Sequence, residues 1–266
     1  MKLTSPRAKF ERARRHRSEL MESGLTWLKE HAAGPMPVGK RVESWENGGE
    51  VIIYSVGTHP EKVDDEIALI LGDALNDYRS ALDHLAWLLV PNDAKQRGRV
   101  AENIYFPVSD NEARFPQQFK TKMPGVGDVT RSIISRHQPY RNKSLVEDHP
   151  LWLLHHWNRA DKHRVLPVIA VGASNLTAKV QNQFDNFEVL QQKIIPNHLY
   201  FLPGTDLLWL YGRRPNPKKE HGVLVKWGGS VVIAHEGGKS LEMVLNQIDA
   251  AVDAVLSEFE GLPDAI

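Results

Sequence analysis

The thirty residues between Pro60 and Pro91 constrain the fold more than any other stretch of the chain. Drawn at 100° per residue, Ile67, Leu71, Ala74, Leu75, Tyr78, Leu82, Leu85 and Leu89 fall within one arc of about 100°. Asp73, Asn76, Asp77, Arg79, Ser80, Asp83 and His84 take the opposite side. A period held over so many turns commits the segment to a long amphipathic helix that must bury one face. Pro91 cannot continue it. Gly72 lies in its interior, where glycine costs about 1 kcal/mol relative to alanine. That cost points to close approach by another element, or to a bend.

Ser5-Pro6 reads as the start of another helix, running to about His31. Two strand-like runs around Asn47-Gly48-Gly49 give a hairpin over 38–56. Residues 91–145 are mixed, with helices expected around 112–119 and 129–136. Asp148-His149-Pro150 opens a further helix through LWLLHHWNRADKHR. After Arg164 the pattern changes to short β-rich runs at 165–171, 176–184, 187–195, 198–202, 206–212, 222–227 and 230–235, divided by Gly, Pro, Asn and Asp. Ser240 then caps a last helix with one apolar stripe from Leu241 to Phe259. The expectation is an α+β fold: a helical half over 1–164 that carries the hairpin, then an antiparallel sheet and closing helix over 165–266, in one integrated domain.

Composition narrows the function. The 41% hydrophobic and 25% charged residues are those of an ordinary globular chain. With no cysteine there is no disulfide scaffold, thiolate zinc site, iron–sulfur cluster or thiol nucleophile. No apolar run nears the roughly 20 residues of a membrane span. The basic N-terminus has no apolar stretch behind it, so a cytoplasmic location is expected. The 33 Lys+Arg balance the 33 Asp+Glu overall, yet residues 1–20 carry a local excess of basic residues and 61–84 one of acidic residues. A basic first helix suits either phosphate contacts or pairing with an acidic helix of the same chain or a second copy.

Gly237-Gly238-Lys239-Ser240 falls short of a phosphate loop, because Ile233 stands where the first glycine is required. Among the twelve histidines, His156 and His163 share a helix face but lie roughly 10 Å apart by helical rise. They need a third ligand such as His84 to hold a metal, and His155 has Arg159 at the i+4 position. No cofactor is expected.

Arg79-Ser80-Ala81-Leu82-Asp83-His84 is an R-x4-H on a helix. It resembles the signature of the HEPN superfamily, small helical domains that often act as metal-independent endoribonucleases, typically across a homodimer. The resemblance implies that Arg79 stabilises phosphate, that His84 is the general acid or base and that Asp83 holds the guanidinium, with RNA as partner. Arg131/His137 and Arg214/His221 also match the loose pattern. On a continuous helix, residues five apart point about 140° from each other, so one site needs bent geometry or a second chain. The chain also resembles a group of uncharacterised bacterial proteins in which the R-S-A-L-D-H helix is followed, after an F-P segment (Phe106-Pro107), by a D-K-H-R helix. That resemblance implies that Arg79, Asp83, His84, Asn158, Asp161, Lys162, His163 and Arg164 gather in space, either as a polar cleft or as a buried network. Three readings follow: a HEPN-like endoribonuclease, a non-catalytic interaction protein and a histidine-ligated metalloenzyme.

Overall fold

The computed structural model describes residues 1–31, 38–57, 63–142, 145–161, 166, 168–172, 177–181, 186–194, 204–220, 224–228, 231–235 and 240–262. Its elements run α1 (Thr4–His31), β1 (Val38–Trp45), β2 (Gly49–Val56), α2 (Asp65–Leu89), α3 (Asn92–Lys95), α4 (Phe115–Lys122), α5 (Asp128–Arg136), α6 (Pro150–Asp161), β3 (Val168–Gly172), β4 (Thr177–Gln181), β5 (Glu188–Ile194), β6 (Asp206–Arg213), β7 (Leu224–Gly228), β8 (Val231–His235) and α7 (Leu241–Phe259). The class is α+β, as the periodicity indicates. The strand expected at 198–202 lies outside the described residues.

The chain forms two compact units, and their boundaries differ from the division at residue 164. One unit holds Met1–Glu22, Asp65–Leu166 and Glu242–Ile266; the other holds Ser23–Asp64 and Pro167–Leu241. The hairpin therefore belongs with the later strands, and α7 belongs with the helices. The reason is pairing between segments remote in sequence. β2 forms a ladder with β6, and α7 supplies the acids that meet the bases of α1.

In the helical unit, the apolar stripe of α2 forms the centre. Leu71, Ala74, Leu75, Tyr78, Leu82 and Leu85 are fully buried, as are Phe10 and Ala13 of α1 and Val244, Leu245, Ile248, Val252 and Val255 of α7. Phe10 meets Tyr78 edge-on at 5.8 Å, a favoured aromatic geometry. Much of the basic face of α1 is paired inside this unit. Arg7 bonds Asp253, Glu260 and Ser257, and Arg14 forks onto Asp249 at 2.9 and 3.0 Å. Lys9, Arg12 and His16 converge on Asp77 at 2.9, 3.1 and 3.5 Å. Burial pushes the Asp249 carboxyl up, but bonds from Arg14 and Tyr78 outweigh it and hold the group below its ordinary range. The acidic partner of α1 is thus α2 at Asp77 and, beyond what charge counting suggested, α7.

The second unit carries a four-stranded antiparallel sheet in the order β1-β2-β6-β5, with β3–β8 and β4–β7 as separate antiparallel pairs. The hairpin turn uses Asn47 and Gly48 at φ 55° and 74°, the left-handed conformations that Asn and Gly tolerate. Ile52, Tyr54, Leu208 and Leu210 bury one face of the sheet against Phe187. Gly212 is required there: a Cβ would come within 2.1 Å of the Glu188 carbonyl oxygen and 2.8 Å of the Phe187 ring.

Candidate functional site

The polar side of α2 is only partly solvated: Asp73 and Asn76 are exposed, but two charged residues are not. Asp77 is 4% exposed and Arg79 7% exposed, because α2 is packed on more than its apolar stripe. α6 runs beside it, and Gly72 marks the crossing: a Cβ would sit 2.6–2.8 Å from the Asp161 carboxyl group. Close approach, not a bend, explains the interior glycine. Burial, and then the neighbouring Asp73 carboxylate, pushes the Asp161 carboxyl up.

Arg79 and Asp83 lie one helical turn apart and grip the backbone of Phe106 together. The guanidinium donates to Asp83 through Nε (3.2 Å) and Nη2 (2.7 Å), and Nη2 also donates to the Phe106 carbonyl at 2.6 Å. Asp83 accepts the Phe106 N–H at 2.9 Å. A residue in the F-P segment is thereby held at both backbone polar groups, which it offers to no strand ladder.

Arg79 is left with one nitrogen, Nη1, that is buried and makes no hydrogen bond. The Asn158 Oδ1 atom on α6, a residue only 5% exposed, is in the same condition. Two further groups belong to this neighbourhood. Lys122, at the end of α4, accepts the Tyr105 N–H on its carbonyl at 3.4 Å, one residue from the gripped Phe106. Burial and then the Arg79 charge push its ammonium pKa down. His155 of α6 is pushed down to about 4, first by burial and then by Arg79 and Lys122. The imidazole is therefore neutral at pH 7. Among the described residues one carboxylate, Asp83, acts on two cations here, Arg79 and Lys122, where solvent screening is weak.

The motif residues divide among these surroundings. Arg79 and Asp83 come together as the resemblance implied. His84 does not join them: its Nδ1 meets the Ser5 hydroxyl of α1 at 2.6 Å, as expected for residues that point away from each other round a helix. Asp161 packs at the level of Gly72, about 18 Å along α2 from His84 by helical rise. Lys162, His163 and Arg164 lie outside the described residues. The imidazole that feels the Arg79 charge is that of His155. A sequence signal for it existed, since His155 falls four residues after the buried Leu151 and three before the buried Asn158, on the inward stripe of its helix.

The other R-x4-6-H matches take separate places. Arg131 pairs with Asp128, and His137 binds Glu258 at 2.9 Å. Arg214 pairs with Glu50, and His221 lies outside the described residues. Among the described residues no group of three or more His, Asp or Glu has the geometry to hold a metal, and no helix is long and apolar enough to cross a membrane. No family model, curated protein or solved structure matches this chain.

Proposed function

We propose that this chain handles a phosphate-bearing ligand at the Arg79–Lys122–His155 cluster, and that the activity is metal-independent cleavage of RNA. The observation that carries this reading is the buried, unpartnered Nη1 of Arg79. Nearly all buried polar groups in native proteins are hydrogen-bonded, and a charged donor left without an acceptor costs more than a neutral one. An oxyanion beside Nη1 satisfies it and offsets the repulsion between Arg79 and Lys122.

The chemistry follows from the same groups. Neutral His155 accepts the proton of a ribose 2′-hydroxyl, whose oxygen attacks the adjacent phosphorus. The bond to the 5′ oxygen breaks, and that oxygen takes a proton from water. The products are a 2′,3′-cyclic phosphate and a 5′-hydroxyl. Arg79 and Lys122 stabilise the charge gathered on the phosphorane. A base with a pKa near 4 is weak at neutral pH. A bound phosphate raises it, because the new negative charge favours the imidazolium. This assigns to His155 the role that the R-x4-H pattern offered to His84.

A second reading is favoured by the Phe106 grip: Arg79 and Asp83 are then purely structural, and the chain is a non-catalytic interaction protein. RNA incubated with the protein in EDTA separates the two. Cleavage to 2′,3′-cyclic phosphate ends that His155→Ala abolishes and His84→Ala retains supports the proposal. Cleavage that needs His84 but not His155 returns the role to the R-x4-H pair, and no cleavage leaves the interaction protein. The homodimer that the HEPN resemblance implies is part of the proposal, and light scattering tests it.

A further inference from the structure

The sheet unit contains a second concentration of positive charge, unrelated to the motifs above. A shallow, open cleft of about 500 Å³ beside the edge strand β1 is lined by Lys40, Arg41, Arg214, Lys218 and Lys219 against one carboxylate, Glu220. The two arginines are committed. Arg41 forks onto Asp206 at 2.7 and 2.9 Å, and Arg214 donates to Glu50 at 2.8 Å. The three lysines are exposed and have no ion-pair partner among the described residues.

The far wall of the cleft is built rather than loose. Asn186 is 4% exposed, and its amide sits beneath the turn that carries Lys218 and Lys219. Its Nδ2 donates to the carbonyls of Asn216, Lys219 and Glu220 at 2.7, 3.0 and 2.9 Å. Its Oδ1 accepts the Asn216 N–H at 2.9 Å. Asn216 in turn accepts the Lys218 N–H on its side chain at 3.0 Å. One buried side chain thus fixes the backbone of a basic turn opposite Lys40 through both its amide nitrogen and its amide oxygen. A turn that served only to connect strands would need no such anchoring, whereas preorganised cations bind an anion at a lower ordering cost.

We propose that this cleft is a backbone-binding site for single-stranded RNA, in which Lys40 on one wall and Lys218 and Lys219 on the other contact successive phosphates. Lysine is a point-charge donor suited to phosphate without base readout. Val42 and Pro217 alone give this shallow surface too little apolar area to anchor a bilayer. The site is separate from the Arg79 cluster and stands whether or not that cluster cleaves RNA.

Fluorescence anisotropy with a labelled 12-nucleotide oligouridine, run from 50 to 300 mM salt, tests it. Each lost phosphate contact removes about 0.7 from the slope of log affinity against log salt for a single strand. The triple variant Lys40→Ala/Lys218→Ala/Lys219→Ala should therefore lower the slope by about 2 and weaken binding at 100 mM salt about tenfold or more. The triple arginine variant should retain binding. Because the three side chains are exposed, circular dichroism should find both variants folded. An unchanged slope in the alanine variant overturns the proposal, as does binding to vesicles rich in phosphatidylserine without binding to the oligonucleotide. With a 2′-O-methyl oligouridine, which has no 2′-hydroxyl to be activated at the Arg79 cluster, the same slope difference between the unmodified protein and the alanine variant is expected, which keeps failure here distinct from failure of the cleavage reading.

Discussion

Asp83→Ala probes the grip on Phe106 more sharply than any other substitution. The Asp83 carboxylate accepts both bonds from Arg79 and the Phe106 N–H, and the paired side chains are 8% and 23% exposed. Removing one partner of a pair this buried costs about 3–5 kcal/mol, because the other charge stays behind in a poorly solvated place. The orphaned Phe106 N–H adds about 1 kcal/mol. At about 2–4 °C per kcal/mol for a unit of this size, the unfolding midpoint should fall by about 10–20 °C. Circular dichroism melting measures it. The double variant Arg79→Met/Asp83→Leu should recover a large part of the loss, since it leaves no uncompensated charge. A loss below about 1 kcal/mol for Asp83→Ala would refute the reasoning, because it would mean that water reaches Arg79 freely.

Further expectations concern the packing of the helical unit and its response to acid. Gly72→Ala alone should destabilise, since the added methyl meets the Asp161 carboxyl group; in an Asp161→Ala background it should instead stabilise by about 1 kcal/mol, and chemical denaturation of the four proteins gives the coupling. Asp161→Asn should leave stability at pH 7 unchanged or raised, because the carboxyl of Asp161 ionises against burial and Asp73; a lowered melting midpoint would contradict this. Asp77→Ala should cost about 1 kcal/mol, because Lys9 and Arg12 keep access to water when their shared carboxylate is removed; melting curves report it. The folded pKa of His155 lies below its unfolded value near 6.5, so the unfolded chain binds more protons between about 4 and 6.5. The stability from this group is therefore present above pH ~6.5 and lost as pH falls towards 4. His155→Gln should flatten that limb of the stability–pH curve.

The helices were legible because each announces a one-sided apolar stripe. α2 and α7 are read almost to the residue from Leu71 to Leu85 and from Val244 to Val255, whereas the cost of Gly72 left close approach and a bend open until α6 was seen to cross there. The two units were not legible. Their boundary depends on β2 pairing with β6 and on Arg14 meeting Asp249, partners more than 150 residues apart, and local pattern carries no information about such pairings. The candidate site was half legible. Arg79 and Asp83 stand out at i, i+4, where side chains meet, but the R-x4-H spacing drew in His84, which looks towards Ser5. Lys122 had no signal at all, being brought in by the path of the 105–106 backbone. His155 was visible as a polar residue on an inward stripe, a pattern that marks a buried histidine without naming its neighbours.

The most direct test of the account is the titration of His155 by NMR of its ring nitrogens, with and without inorganic phosphate. A midpoint near 4 in the free protein, moving upward by a unit or more when phosphate saturates the site, is the predicted result. An ordinary midpoint near 6.5, or one near 4 that phosphate does not move, would show that no anion sits beside Arg79 and Lys122.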